Sequence, residues 1–143
     1  MDIFNGRTGK VANERPRTSL IQDKVHAMKV HFYIEANPIR ANMYKFENLK
    51  VFKFSTFRYF AFGITDEYTK MIEVPQWYIN LGRTPELRQR KYRSLFKKYL
   101  EELLMQCPWM WEKYIGDPFW CAEKDAELKG RSKKRRSKAT DPP

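Results

Sequence analysis

Cysteine is scarce in this sequence: Cys107 and Cys121 are the only two among 143 residues. Two isolated thiols, with no CxxC and no neighbouring histidine, argue against a zinc site or a disulfide framework. Long apolar runs are missing too. No stretch approaches the roughly 18 apolar residues that span a membrane. The opening MDIFNGRTGK has no apolar segment resembling a signal peptide. The resulting expectation is a cytoplasmic protein with no membrane partner.

Signatures of catalysis are equally sparse. No Gly-rich phosphate loop, GxSxG or HExxH occurs. The only histidines, His26 and His31, are five apart. A helical metal pair needs a separation of three or four and a strand pair needs two, so each is assigned to the surface or the core. Glu101-Glu102 and Glu123-Lys124-Asp125 read as solvated helix faces. No tyrosine sits beside a metal-ligand cluster that would support it as a nucleophile. No catalytic residue and no metal ligand is expected.

Acid is the minority charge, with 17 Asp and Glu against 28 Lys and Arg, which leaves a net charge of +11. A chain this basic commonly meets a polyanion, above all nucleic acid, although charge also serves solubility. Aromatics are plentiful. Ten Phe, eight Tyr and four Trp suffice for the core of one domain.

Residues 1–19 read as a basic extended segment. From there to residue 128 the sequence reads as a helical domain. Ile21, Val25, Met28 and Phe32 recur at helical spacing, with Asp23 as a cap. The helix should end near Ala36, since Pro38 disfavours helical geometry at Asn37; Asn37 then caps a second, short helix. Phe46 to Gly63 is the aromatic heart, and Ser55 is placed to cap a helix through Ala61. A connecting loop covers 63–76. Thr84-Pro85-Glu86 combines an N-cap, a proline at the first position and an acid in the first turn. Tyr92, Leu95, Phe96, Tyr99, Leu100, Leu103 and Leu104 then keep helical spacing up to Cys107-Pro108. Trp109, Trp111 and Trp120 are capable of base stacking, but core burial is the preferred reading. KGRSKKRRSK, beginning at Lys129, is seven-tenths Lys and Arg, so 129–143 is expected to be a disordered basic tail.

Four stretches in order resemble the C-terminal part of the REP-associated, IS200-like single-tyrosine HUH transposases. YIEANPIRANM (Tyr33–Met43) is similar to that family's Tyr-Ile-x-x-Asn-Pro-x-Arg-Ala corner. FKFSTFRYFAFG (Phe52–Gly63) resembles its tryptophan-serine-serine-tyrosine segment, with Phe54 and Phe57 replacing the usual aromatics. LGRTPELRQRKYRSLFKKYL (Leu81–Leu100) is similar to its Leu-Gly…Tyr-Arg…Leu-Phe helix. FNGRTGKVANERPRT (Phe4–Thr18) resembles the basic strand after its catalytic helix. The resemblance covers roughly residues 4–125.

Family members hold a divalent metal with His-x-His and attack DNA with a tyrosine, the metal polarising the scissile phosphate. No His-x-His is present here, and the nucleophile would precede Asn5. The resemblance therefore implies a truncated C-terminal piece. Its expected fold is mainly α, the helical portion of an α+β (ferredoxin-like HUH) transposase with a short N-terminal strand. The implied function is binding of hairpin or single-stranded DNA without cleavage by this chain alone. Arg15, Arg17 and Arg40 are the expected phosphate or base contacts. Lys10 and the tail cations Lys133, Lys134, Arg135 and Arg136 would add sequence-independent affinity. Two other readings remain: an accessory part completed by a catalytic partner chain or a misplaced start codon, and a basic RNA-associated or structural helical protein. An exposed apolar face on the Ile21–Phe32 helix would allow a homodimer.

Overall fold

The computed structural model describes residues 18–103 and 113–140. They are mainly helical, as the periodicities predict, with one two-stranded sheet. The elements are β1 (Leu20–Ile21), α1 (Lys24–Glu35), α2 (Asn37–Arg40), α3 (Phe57–Phe62), α4 (Gln76–Ile79), α5 (Pro85–Leu103), β2 (Tyr114–Ile115) and α6 (Pro118–Thr140). Short 3₁₀ helices lie at Phe46–Val51 and Thr69–Met71, the second inside the segment expected to be a plain loop.

Capping residues set the helix starts. The Asp23 carboxylate accepts the His26 N–H at 2.9 Å, and the Thr84 hydroxyl accepts the Leu87 N–H at 3.2 Å, each satisfying a donor that the first turn leaves open. Ser55, expected to cap α3, lies one residue outside it: Thr56 is the N-cap residue without a side-chain capping bond, and the Ser55 hydroxyl accepts the Phe57 N–H at 3.3 Å. Asn37 departs from expectation. Ala36 stays in the right-handed region and is the junction residue, while the Asn37 side chain accepts from Arg40 instead of capping backbone.

The core is an aromatic slab between α1, α3 and α5. Phe32, Phe57, Phe60, Tyr92, Phe96 and Tyr99 are buried, together with Leu49, Tyr78 and Ala61. Tyr92 and Phe96 lie on one face of α5, with near-parallel rings 6.4 Å apart at 4°. Phe57 approaches Phe96 to 4.9 Å, and Phe60 meets Tyr78 edge-on at 4.8 Å. Full burial of a Phe stabilises by roughly 1.5–3 kcal/mol, and a well-set aromatic pair adds about 0.5–1.5 kcal/mol. The core covers the second half of α1. Met28 packs against it, whereas Val25 in the first turn is 55% exposed.

Residues 1–17 of the basic segment lie outside the described residues. Two expectations need correction. Ile21, expected at the start of the first helix, lies instead in the short strand Leu20–Ile21, which pairs in parallel with Tyr114–Ile115 of this same chain. Backbone bonds Leu20 N to Lys113 O (2.9 Å) and Gln22 N to Ile115 O (2.8 Å) hold that pairing. Nor is the basic tail disordered as far as Thr140: it is the second half of α6. Ala, Glu, Lys and Leu between Ala122 and Lys129 are strong helix formers, and cations near a helix C-terminus complement its dipole. Lys124 and Glu127 pair at 3.2 Å along the same helix. From Asp125 to Ala139 every side chain is exposed, so local preference rather than packing maintains this part.

Candidate nucleic-acid interface

The cations expected to touch DNA fall into three groups. Lys10, Arg15 and Arg17 lie outside the described residues. Arg40 is half-buried and engaged within the fold. Its guanidinium lies 3.9 Å from the centre of the Tyr33 ring and donates to the Tyr33 carbonyl and the Asn37 side chain. The Asn-Pro corner thereby ties the end of α1 to α2. Trp120 is half-buried against Tyr114, its ring edge-on at 6.0 Å; Trp109 and Trp111 lie outside the described residues.

Lys133, Lys134, Arg135 and Arg136 are brought together on α6 and are exposed. Helical periodicity divides the cations of this segment into two stripes. Arg131, Lys134, Arg135 and Lys138 fall at i, i+3, i+4 and i+7. Lys129, Lys133 and Arg136 form the second stripe, more than a quarter-turn away. Charge on both sides of an exposed helix gives a surface that reaches phosphates from either flank. It also places like charges within one turn, each such pair costing about 0.2–0.5 kcal/mol of helix stability.

Further cations escaped the sequence reading. Lys50 and Arg93 stand over the Phe62 ring at 5.6 and 5.0 Å, and Lys53 lies 5.4 Å from the centre of the Phe54 ring. The run Lys50-Val51-Phe52-Lys53-Phe54 belongs to the aromatic heart of the sequence, which does not reveal which of its rings face outward. Phe54 is in fact 79% exposed.

A buried polar group is the other feature that sequence reasoning missed. His31 Nε2 lies 2.9 Å from the Tyr92 hydroxyl and 3.7 Å from Glu35 Oε1. Thr56 donates its hydroxyl proton to that same Glu35 oxygen. Burial pulls the His31 pKa down to about 4, so the imidazole is neutral. Burial also pushes the Glu35 carboxyl up, opposed by the Thr56 and Ser55 hydroxyls and the backbone N–H groups of Phe57 and Thr56. Tyr92 is held well above the ordinary tyrosine value, first by burial and then by the Glu35 charge. A phenol with no exposed surface and a raised pKa is a poor nucleophile. The group instead links α1, the start of α3, and α5. Testing His31 only against His26 hid it; the informative spacing was His31 to Glu35, four apart on one helix face.

Among the described residues, no three His, Cys, Asp or Glu side chains converge as a metal site, and no helix is long and apolar enough to cross a membrane. His26 is occupied by Asp23 at 2.7 Å and Asp117 at 3.7 Å, which joins the start of α1 to the start of α6. Compared with protein-family models, curated proteins and solved structures, the chain matches none of them.

Proposed function

We propose that this chain binds DNA through the cations of α6, as a transposase-derived protein that does not cut DNA alone. The observation that carries the reading is the exposed cationic half of α6, which has no core-facing surface to explain it. A 23-residue helix whose second half packs on nothing described, and which bears seven Lys or Arg between Lys129 and Lys138, suits a phosphate backbone. The transposase origin rests on the resemblance of the four sequence stretches. Hairpin or single-stranded ends are the DNA class that this resemblance implies.

A salt titration on hairpin DNA, duplex DNA and structured RNA tests the proposal. Binding should weaken linearly in log salt, with a slope of about −0.9 per phosphate neutralised on duplex and about −0.7 on single strands. Replacing Lys133, Lys134, Arg135 and Arg136 by alanine should reduce that slope. Equal affinity for all three nucleic acids would instead favour the RNA-associated or purely electrostatic reading. With a divalent metal and a cleavable oligonucleotide, no covalent phosphotyrosyl adduct should form; a trapped adduct would establish catalysis and overturn the proposal.

A further inference from the structure

Beside the start of α3 lies an open groove of about 340 Å³, walled by Phe54, Tyr59, Ile64, Tyr68 and Ile72, with Lys53 and Arg58 at its edge. We propose that this groove takes one unpaired nucleobase of single-stranded DNA, stacked on Phe54 with Lys53 beside its phosphate. The proposal rests on the DNA-binding reading above and adds a base-contacting site to it.

The chemistry of the walls selects the ligand. Phe54 exposes 79% of its surface and Tyr68 63%, so neither contributes much to the core. Phe52 braces the Phe54 ring edge-on at 5.7 Å, and Tyr44 in turn packs 5.3 Å from Phe52. The exposed ring is therefore supported from below. Across the groove, Tyr68 is set by a tight turn: its N–H donates to Asp66 Oδ1 at 2.8 Å, and the Asp66 N–H donates to the Thr69 hydroxyl at 2.7 Å. Arg58 pairs with Asp66 and fixes the same wall. Lys53 makes no ion pair with any described residue; its ammonium lies 5.4 Å from the centre of the Phe54 ring, and a base stacking on that face would displace it towards the base's own phosphate.

A π-face with an adjacent unpaired ammonium matches a nucleotide, which offers a flat ring and an anion a short distance apart. Phosphate alone would not require the apolar walls, and a purely apolar peptide would not require the cation. The base must be unpaired, because in a duplex both of its faces are covered by neighbouring pairs.

The test uses the full chain at one salt concentration, with a dT12 oligonucleotide and an abasic 12-mer carrying the same number of phosphates. The wild type should bind dT12 more tightly by roughly 5- to 150-fold, the range of one stacked base. Phe54→Ala should abolish that gap and leave abasic binding unchanged, and Phe54→Trp should restore it. Because Phe54 is so exposed, the alanine variant should keep the wild-type circular dichroism. Phe119→Ala, at an 85% exposed aromatic elsewhere, should keep the gap. Equal binding of the two oligonucleotides by the wild type overturns the base site while leaving DNA binding standing. A gap that survives Phe54→Ala also overturns it, placing the base or a different partner elsewhere. Binding of neither oligonucleotide overturns the DNA reading and this proposal together.

Discussion

His31 Nε2 on α1 lies 2.9 Å from the Tyr92 hydroxyl on α5, a bond between residues 61 apart in sequence. It crosses the aromatic slab, with His31 edge-on to Phe60 at 5.1 Å and to Trp77 at 5.2 Å. Tyr92 is fully buried, and only a fifth of the His31 side chain is exposed. Tyr92→Phe should therefore leave the imidazole unsatisfied and cost about 1–3 kcal/mol in urea unfolding. Replacing both partners, with His31→Phe added, should cost less than the sum of the single changes. Additive losses would show that the two groups are not coupled.

The same histidine sets a pH dependence. Its pKa falls from 6.5 to about 4 on folding, so between these values the unfolded chain binds the extra proton. Stability should thus be greatest above pH 6.5 and fall as pH drops towards 4, by up to about 3 kcal/mol. Glu35 acts in the opposite sense. Its pKa is raised in the fold, so its contribution is fully present below the unfolded value of 4.5 and is lost as pH rises through the folded one. In urea melts from pH 4 to 8, His31→Gln should flatten the wild-type slope between 4 and 6.5. An unchanged slope in that variant would assign the effect to another group.

Much of the helical frame is legible in the sequence, because caps and periodicity are local. Asp23 and Thr84 each meet the backbone N–H expected of them, whereas Ser55 sits one residue outside the N-cap of α3. Tertiary relations were not legible. Nothing local indicates that Leu20 would pair with Tyr114, or that the hydroxyl of Tyr92 would find His31. Phe54 lies within the aromatic heart yet is 79% exposed, because composition cannot tell which rings of an aromatic run face outward. The tail failed for a different reason. Like charge alone suggests a disordered tail, yet helix propensity and the dipole suffice for a helix whose side chains are exposed from Asp125 to Ala139.

Gly63 ends α3 in the left-handed region at φ 67°, its N–H bonded to the Tyr59 carbonyl at 2.9 Å. A Cβ there would come within 2.6 Å of Gln89 Nε2 on α5, the helix that packs on α3. Gly63→Ala should destabilise by about 1–2 kcal/mol from the backbone term, with the displaced Gln89 adding to it. Adding Gln89→Ala should recover only the steric part, and Gly63→Asn should be milder than alanine at the backbone. Full recovery in the double variant, measured by thermal unfolding, would mean that the φ angle carries no cost.

Gly130 separates the effect of α6 helicity from the effect of its charge. It lies within the helix, and a Cβ added there meets nothing within 4 Å. Gly130→Ala should therefore favour the helix by about 0.8–1.0 kcal/mol while changing no charge. Like-charge repulsion along the two cationic stripes opposes the helix in the free protein, and phosphates laid along those stripes would relieve it. If the helix is the form that binds, Gly130→Ala should raise the 222 nm circular dichroism at low salt and tighten DNA binding by at most about fivefold. The complementary change, Lys134→Glu, places an acid four residues before Lys138 and breaks the like-charge contact. It should raise helicity as well, yet weaken binding by removing cationic charge. Helicity and affinity thus move together in one variant and apart in the other. A Gly130→Ala protein that gains helix but binds DNA no better would mean that the basic segment engages phosphates without needing to be helical.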